Sequence, residues 1–187
     1  MRTAIKVRAV RGLAEWWRSR RGTAAVEFAL ILPVLLLVTI GSLELGLIMF
    51  DYHRVSEATR RGLRTALIQD AIIDLADLDA TPITCTGPGN VSCSAGSIQS
   101  SASFDAIVAS MQEIVPRISE ENVIVTYTNS NLDISGNGDT VTPLITVEVT
   151  GLEYNFVALT YVPGLSTTLT IPSFDTTRLA HTVLIEG

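Results

Sequence analysis

Charge is scarce in these 187 residues, at 17% of the chain, and aromatic side chains are scarcer still, at 6%. Only two cysteines and two histidines are present. His53 and His181 are far apart and lack a ligand pattern, so no metal centre is expected on them. No G-x-S-x-G elbow, phosphate-cradling glycine loop or H-E-x-x-H pair occurs, so neither an enzyme nor a cofactor is expected. Thirteen basic residues against nineteen acidic ones give a net charge of −6, which excludes a general nucleic-acid binder.

What the chain has in quantity is apolar side chain, 47% of it, enough to exclude disorder as a general description. Its distribution is polarised. Residues 1–22 hold seven basic residues (Arg2, Lys6, Arg8, Arg11, Arg18, Arg20, Arg21) against Glu15 alone, or +6. The other 165 residues then hold six basic and eighteen acidic residues, or −12. Between the two regimes lie sixteen consecutive uncharged residues, Phe28 to Leu43, and after Glu44 the apolar character resumes to Phe50. As a helix, 28–50 spans roughly 34 Å, enough for a hydrocarbon core of about 30 Å. The basic head favours a cytoplasmic N-terminus and an exported body. Glu44 is expected near the outer end of the span, with its carboxylate reaching water. A cleaved secretory signal, ending at Thr39-Ile40-Gly41, fits less well because the basic region is long and the apolar run continues beyond that site.

The junction reads Arg20-Arg21-Gly22-Thr23-Ala24-Ala25-Val26-Glu27-Phe28-Ala29-Leu30-Ile31-Leu32-Pro33. A carboxylate at the head of an apolar helix costs several kcal/mol unless paired, which makes Glu27 a functional candidate. A new terminus at Thr23 would place an ammonium four residues before it. Among packed helices, Glu27 of one subunit then neutralises the terminus of its neighbour and fixes their axial stagger. The string resembles the processing site of type IV prepilins. More closely, it is similar to the TadE-like pseudopilins of the tight-adherence (Flp) pilus system. The resemblance implies a membrane prepilin peptidase cutting after Gly22, Thr23 as the first mature residue, and Glu27 followed by Phe28 as the assembly and register element. It also implies Pro33 as the kink of the membrane helix, and as partners the major Flp pilin, other pseudopilins and an inner-membrane assembly platform. The alternative is an unprocessed, signal-anchored envelope protein acting as an adhesin, sensor or binding module, with Gly22 an interfacial break.

Helical spacing continues beyond the span through Val55, Ala58, Thr59, Gly62, Leu63, Ala66 and Leu67, with Arg54, Glu57, Arg60, Arg61 and Arg64 opposite. One helix to about Gln69 is expected. Small residues at four-residue spacing, Ser42/Gly46 and Ala58/Gly62/Ala66, admit either another subunit's backbone or the chain's own domain. Asp70, Asp74, Asp77 and Asp79 read as a solvated helix end or loop. The turn-rich stretch 81–94 contains Cys85 and Cys93, which outside the cytoplasm form a small disulfide loop. Asn90-Val91-Ser92 is a glycosylation sequon only in a eukaryotic secretory pathway.

Residues 103–115 show a helix face (Phe104, Ile107, Val108, Met111, Ile114, Val115), capped by Ser103 and ended by Pro116. From Asn122 the period becomes two. Val123, Val125 and Tyr127 form one strand face and Ile145, Val147 and Val149 another, joined by a turn over 129–140. Further strands are expected at 155–160, 167–171 and 177–185, with a turn over 161–164. Asp133, Ser135, Asn137 and Gly138 mimic the start of a calcium loop, but Leu144 stands where a bidentate Glu is required, so a hairpin turn is the better reading.

The expected fold class is α+β: a long N-terminal transmembrane and stalk helix followed by a small antiparallel-sheet domain, a pilin-like layout. The expected organisation is a basic cytoplasmic leader (1–22), a transmembrane helix (23–50), its extracytoplasmic extension (51–80) and a periplasmic α+β domain (81–187).

Overall fold

The computed structural model describes residues 20–79, 81–132, 140–157, 160, 164, 166–181 and 183–184. Most of the basic leader, and the calcium-like turn over 133–139, lie outside the described residues.

One helix, α1 (Arg20–Ile68, 49 residues), carries the apolar run and its extension without interruption. At 1.5 Å per residue it is about 74 Å long. Pro33 lies within it, as membrane helices tolerate. The two halves of α1 have different surroundings. None of its most apolar window is buried, and that window is long and apolar enough to cross a membrane. The C-terminal half is built into a core. Val55, Ala58, Thr59, Leu63 and Ala66 are buried at the spacing expected of a helix face, and the Thr59 hydroxyl donates to the Val55 carbonyl at 2.9 Å.

The second helix, α2 (Ser101–Gln112), lies across this buried face with Phe104, Ile107, Val108 and Met111 inward. Its cap is Ser100, whose Oγ accepts the Ser103 N–H at 3.3 Å. This corrects the expected cap: Ser103 lies in the first turn and is itself buried. The charged side of α1 (Arg54, Glu57, Arg60, Arg61 and Arg64) is exposed, and some of its residues also reach the rest of the domain. Arg61 pairs with Glu113, Arg117 pairs with Asp51, and the Arg54 guanidinium donates to the Ile114 carbonyl. These clasps join α1 to the chain following α2.

A five-stranded antiparallel sheet closes the core, in the order β2 (Ser92–Cys93), β1 (Ile83–Thr86), β3 (Val123–Asn129), β5 (Pro143–Val149), β8 (Phe174–Leu179). Its inward rows are Ile83–Tyr127–Ile145, Cys85–Val125–Val147 and Val123–Val149–Phe174. The opposite face carries a rank of threonines in register across four strands, Thr84–Thr126–Thr146–Thr177. This is the alternation that a sheet covered on one side demands. Two small ladders flank it: β4 (Thr140–Val141) with β9 (Val183–Leu184), and β6 (Glu153–Asn155) with β7 (Thr168–Thr170). The architecture is therefore α+β, a long apolar N-terminal helix followed by a small antiparallel-sheet domain.

Three expectations about strands need correction. The stretch 81–94 contains β1 and β2 as well as turns; only Ile83 and Cys85 announce the alternation, too short a signal among glycines and prolines. In the expected strand 155–160, pairing ends at Asn155, because Phe156 and Val157 leave the ladder after a single bond from the Phe156 N–H to the Thr167 carbonyl. The expected final strand 177–185 is two pieces, β8 starting at Phe174 and β9 at Val183, which pair with different partners.

Glu44 also departs from expectation. It is only 5% exposed, and its Oε1 accepts the backbone N–H of Val157, far along the chain. The carboxylate turns toward the β6–β7 hairpin rather than toward open water.

Candidate functional site

The helix start is bare. Gly22, Thr23 and Glu27 are exposed, Phe28 is 61% exposed, and a side chain built on Gly22 would meet nothing within 4 Å. The Gly22–Thr23 bond lies within the first residues described for α1. Thr23 and Glu27 stand one helical turn apart, about 6 Å along the axis. A charge at each would share a face of α1 and be available to another helix.

The small residues divide into two sets. Ser42 and Gly46 sit on the exposed helix, with the Ser42 hydroxyl donating to the Thr39 carbonyl at 2.8 Å and open space above Gly46. Ala58, Gly62 and Ala66 are occupied by the chain's own domain. A Cβ on Gly62 would lie 2.6 Å from the Met111 Sδ of α2, so glycine here permits the close crossing of the two helices.

Cys85 and Cys93 are directly opposite in the β1–β2 ladder and form a disulfide, with Cα atoms 4.1 Å apart. The loop they close packs Gly87 against the Phe104 ring, where a Cβ would come within 2.3 Å of the ring. The bond pins this loop onto α2. Of the acidic patch, Asp70 and Asp79 are exposed, and Asp74 and Asp77 hold the local backbone. Asp74 Oδ1 accepts the Ala76 N–H at 3.0 Å, and Asp77 Oδ2 accepts both the N–H and the hydroxyl of Ser97. No group of three potential metal ligands occurs among the described residues. His53 is exposed with its ring edge-on to Tyr52. His181 borders an open cleft of about 570 Å³ that also touches Asp70, Asp74 and Tyr127. Burial raises the Tyr127 phenol pKa, and the Ile72 N–H donated to its oxygen partly opposes this.

The start of α1 thus joins an exposed Gly22–Thr23 step, an exposed carboxylate one turn later and a long apolar surface. Residues 22–64 match the family model described as TadE-like protein. This TadE-like segment begins at Gly22, covers Glu27, Phe28 and Pro33, and runs through most of the buried part of α1. It is the same family that the junction resembles. No curated protein and no solved structure gives a significant match to the chain.

The sequence reading missed the contact between Glu44 and the hairpin. Two signals pointed toward it: an acid inside an apolar run, and a second stretch, Tyr154 to Phe174, without any charged side chain.

Proposed function

We propose that the protein is a minor pseudopilin of a tight-adherence pilus system. A membrane prepilin peptidase removes residues 1–22 by cutting after Gly22, and the side-chain charge of the chain falls from −6 to −12 as seven basic residues and Glu15 leave. Thr23 gains an ammonium group. Glu27 of an adjacent subunit, held in a low-dielectric helix bundle, neutralises it and sets the stagger, since any slip leaves two desolvated charges apart. The exposed apolar surface of α1 packs among the helices of the major pilin and other pseudopilins on an inner-membrane platform, and the acidic domain faces the periplasm. The observation that carries this reading is the TadE-like match starting at Gly22 on a helix start that nothing in the chain's own domain covers.

N-terminal sequencing of the membrane-bound protein, with and without the peptidase, tests it. The expected first residue is Thr23 when the peptidase is present. A Met1 terminus in peptidase-positive cells overturns the mechanism in favour of an unprocessed envelope anchor, and a soluble product starting near Ser42 overturns it in favour of a secretory signal.

A further inference from the structure

Four of the six basic residues that follow Gly22 stand on one side of α1: Arg54, Arg60, Arg61 and Arg64. With Glu57 this stripe carries +3, which leaves −15 on the rest of the chain after Gly22. At 3.6 residues per turn all five residues fall on the side away from Val55, Ala58 and Leu63, with Arg64 almost opposite the buried face. Arg54 and Arg61 are engaged by the chain's own domain, at the Ile114 carbonyl and the Glu113 carboxylate. Arg60 and Arg64 are exposed and pair with no carboxylate among the described residues.

The outer face of the sheet, turned away from α1, holds the opposite charge. Glu148 of β5 and Asp175 of β8 are directly opposite each other on it, and neither pairs with a cation among the described residues. The Ala180 N–H bonds to the Pro143 carbonyl, which makes Glu148–Asp175 a non-hydrogen-bonded pair, where side chains come closest. Two like charges so placed destabilise a sheet unless a cation meets them. The next row offers the Thr146 and Thr177 hydroxyls, 2.7 Å apart. This face stands alongside the stripe. Phe174 touches Tyr52 with ring centroids 4.4 Å apart, and Tyr127, in the row at the other end of the sheet, accepts the Ile72 N–H just beyond α1. The strands therefore run beside α1, and the Glu148–Asp175 row, next to Val149–Phe174, is level with the first turn of the stripe.

We infer that these two faces meet between copies of the chain. The arginine stripe of one copy lies against the outer sheet face of the next, with Arg60 and Arg64 on Glu148 and Asp175. The inference rests on the proposed assembly of parallel copies and adds the contact between their domains. Copies that span one membrane keep one orientation, so surfaces of opposite charge at one level on opposite sides of a domain meet without tilting. A neighbour raised by the roughly 6 Å between Thr23 and Glu27 brings its acidic pair level with Arg60. A planar guanidinium can bridge the two carboxylates and give its remaining donors to the threonine hydroxyls. Each copy uses a different surface on its two sides, so the contact adds copies in a row instead of closing a dimer. The occupant of the stripe is a second copy rather than anionic lipid, because the stripe climbs about 15 Å along α1, whereas a membrane surface gathers cations at one level.

The test is energy transfer between full-length chains in phosphatidylcholine vesicles, labelled at the N-terminal amine with donor or acceptor and diluted with lipid to obtain an association constant. Reversing the stripe by Arg60→Glu with Arg64→Glu should weaken association about tenfold or more, because like charges then face each other. Reversing the sheet face by Glu148→Arg with Asp175→Arg should do the same. A mixture with donor on one variant and acceptor on the other should regain the wild-type constant, since every contact again joins opposite charges. Asp70→Arg with Asp79→Arg makes the same change of charge on neither face and should leave association unaltered. Urea midpoints check that each variant folds, and Asp175→Arg alone, at an exposed position, replaces the sheet pair if its midpoint falls. Association unchanged in either reversed variant, a mixture that fails to recover, or equal weakening by the Asp70 and Asp79 changes overturns the contact. Such a result with Thr23 as the cellular terminus leaves the pseudopilin reading standing. A Met1 terminus in peptidase-positive cells, with weakening and recovery as expected, overturns the processing and supports the contact.

Discussion

Glu27 and Glu44 are two carboxylates on one apolar helix, seventeen residues or about 26 Å apart, and their surroundings differ. Glu27 is exposed on a stretch that the rest of the chain leaves bare, whereas Glu44 is buried and bonded to a backbone amide from the β6–β7 hairpin. The same division separates the small residues: Ser42 and Gly46 face open space, and Ala58, Gly62 and Ala66 are occupied by the chain's own core. A polar or small residue in an apolar helix is therefore a demand for a partner, and the partner is either internal or another molecule. The covered half of α1 has met its demands within the chain. The bare half presents a surface suited to assembly.

The comparison breaks first at Glu27. Glu27→Ala should be cut normally yet abolish piliation, read by N-terminal sequencing beside filament counts; normal piliation would remove Glu27 from the mechanism. The second largest effect belongs to the domain. Replacing Cys85 and Cys93 together by Ser releases a short loop and should cost about 2.5 kcal/mol of domain stability in urea titrations of the full chain in detergent, with cutting at Gly22 unchanged. Third, Gly62→Leu forces a side chain into Met111 and should cost about 2 kcal/mol by overpacking, while Ser42→Leu should stay within about 0.5 kcal/mol. Equal effects at these two positions would erase the distinction between the halves. The smallest effect is at Tyr127. Removing its hydroxyl in Tyr127→Phe leaves the buried Ile72 N–H unmatched, at about 1 kcal/mol. Its phenol pKa is raised in the folded state, so its stabilising contribution is complete below about pH 10, the unfolded value. It should be lost as pH climbs through the folded value, because the unfolded chain then releases the proton more readily. Absorbance titration of phenolate against the Tyr127→Phe variant measures this.

Much of the architecture was legible in residue order. The long apolar run, the helical period from Val55 to Leu67, the face of α2 and the alternation of β3 and β5 each repeat often enough to identify their element. Shorter elements were not. β1 offers two alternating positions among turn residues, and the run from Phe156 onward reads as a strand although the chain leaves its ladder there. At the site, Gly22, Thr23, Glu27, Phe28 and Pro33 could be singled out because they lie within one short contiguous string. The partner of Glu44 could not, because it is a backbone amide 113 residues away.

The sequence by itself determined the polarity of the molecule and the presence of one apolar helix with a motif at its head, since charge and hydrophobic period are local properties. The tertiary structure alone decided which stretch of that helix is covered and which is bare. That division depends on where α2 and the sheet dock and on how far the hairpin reaches, and these are fixed by packing between residues distant in the chain.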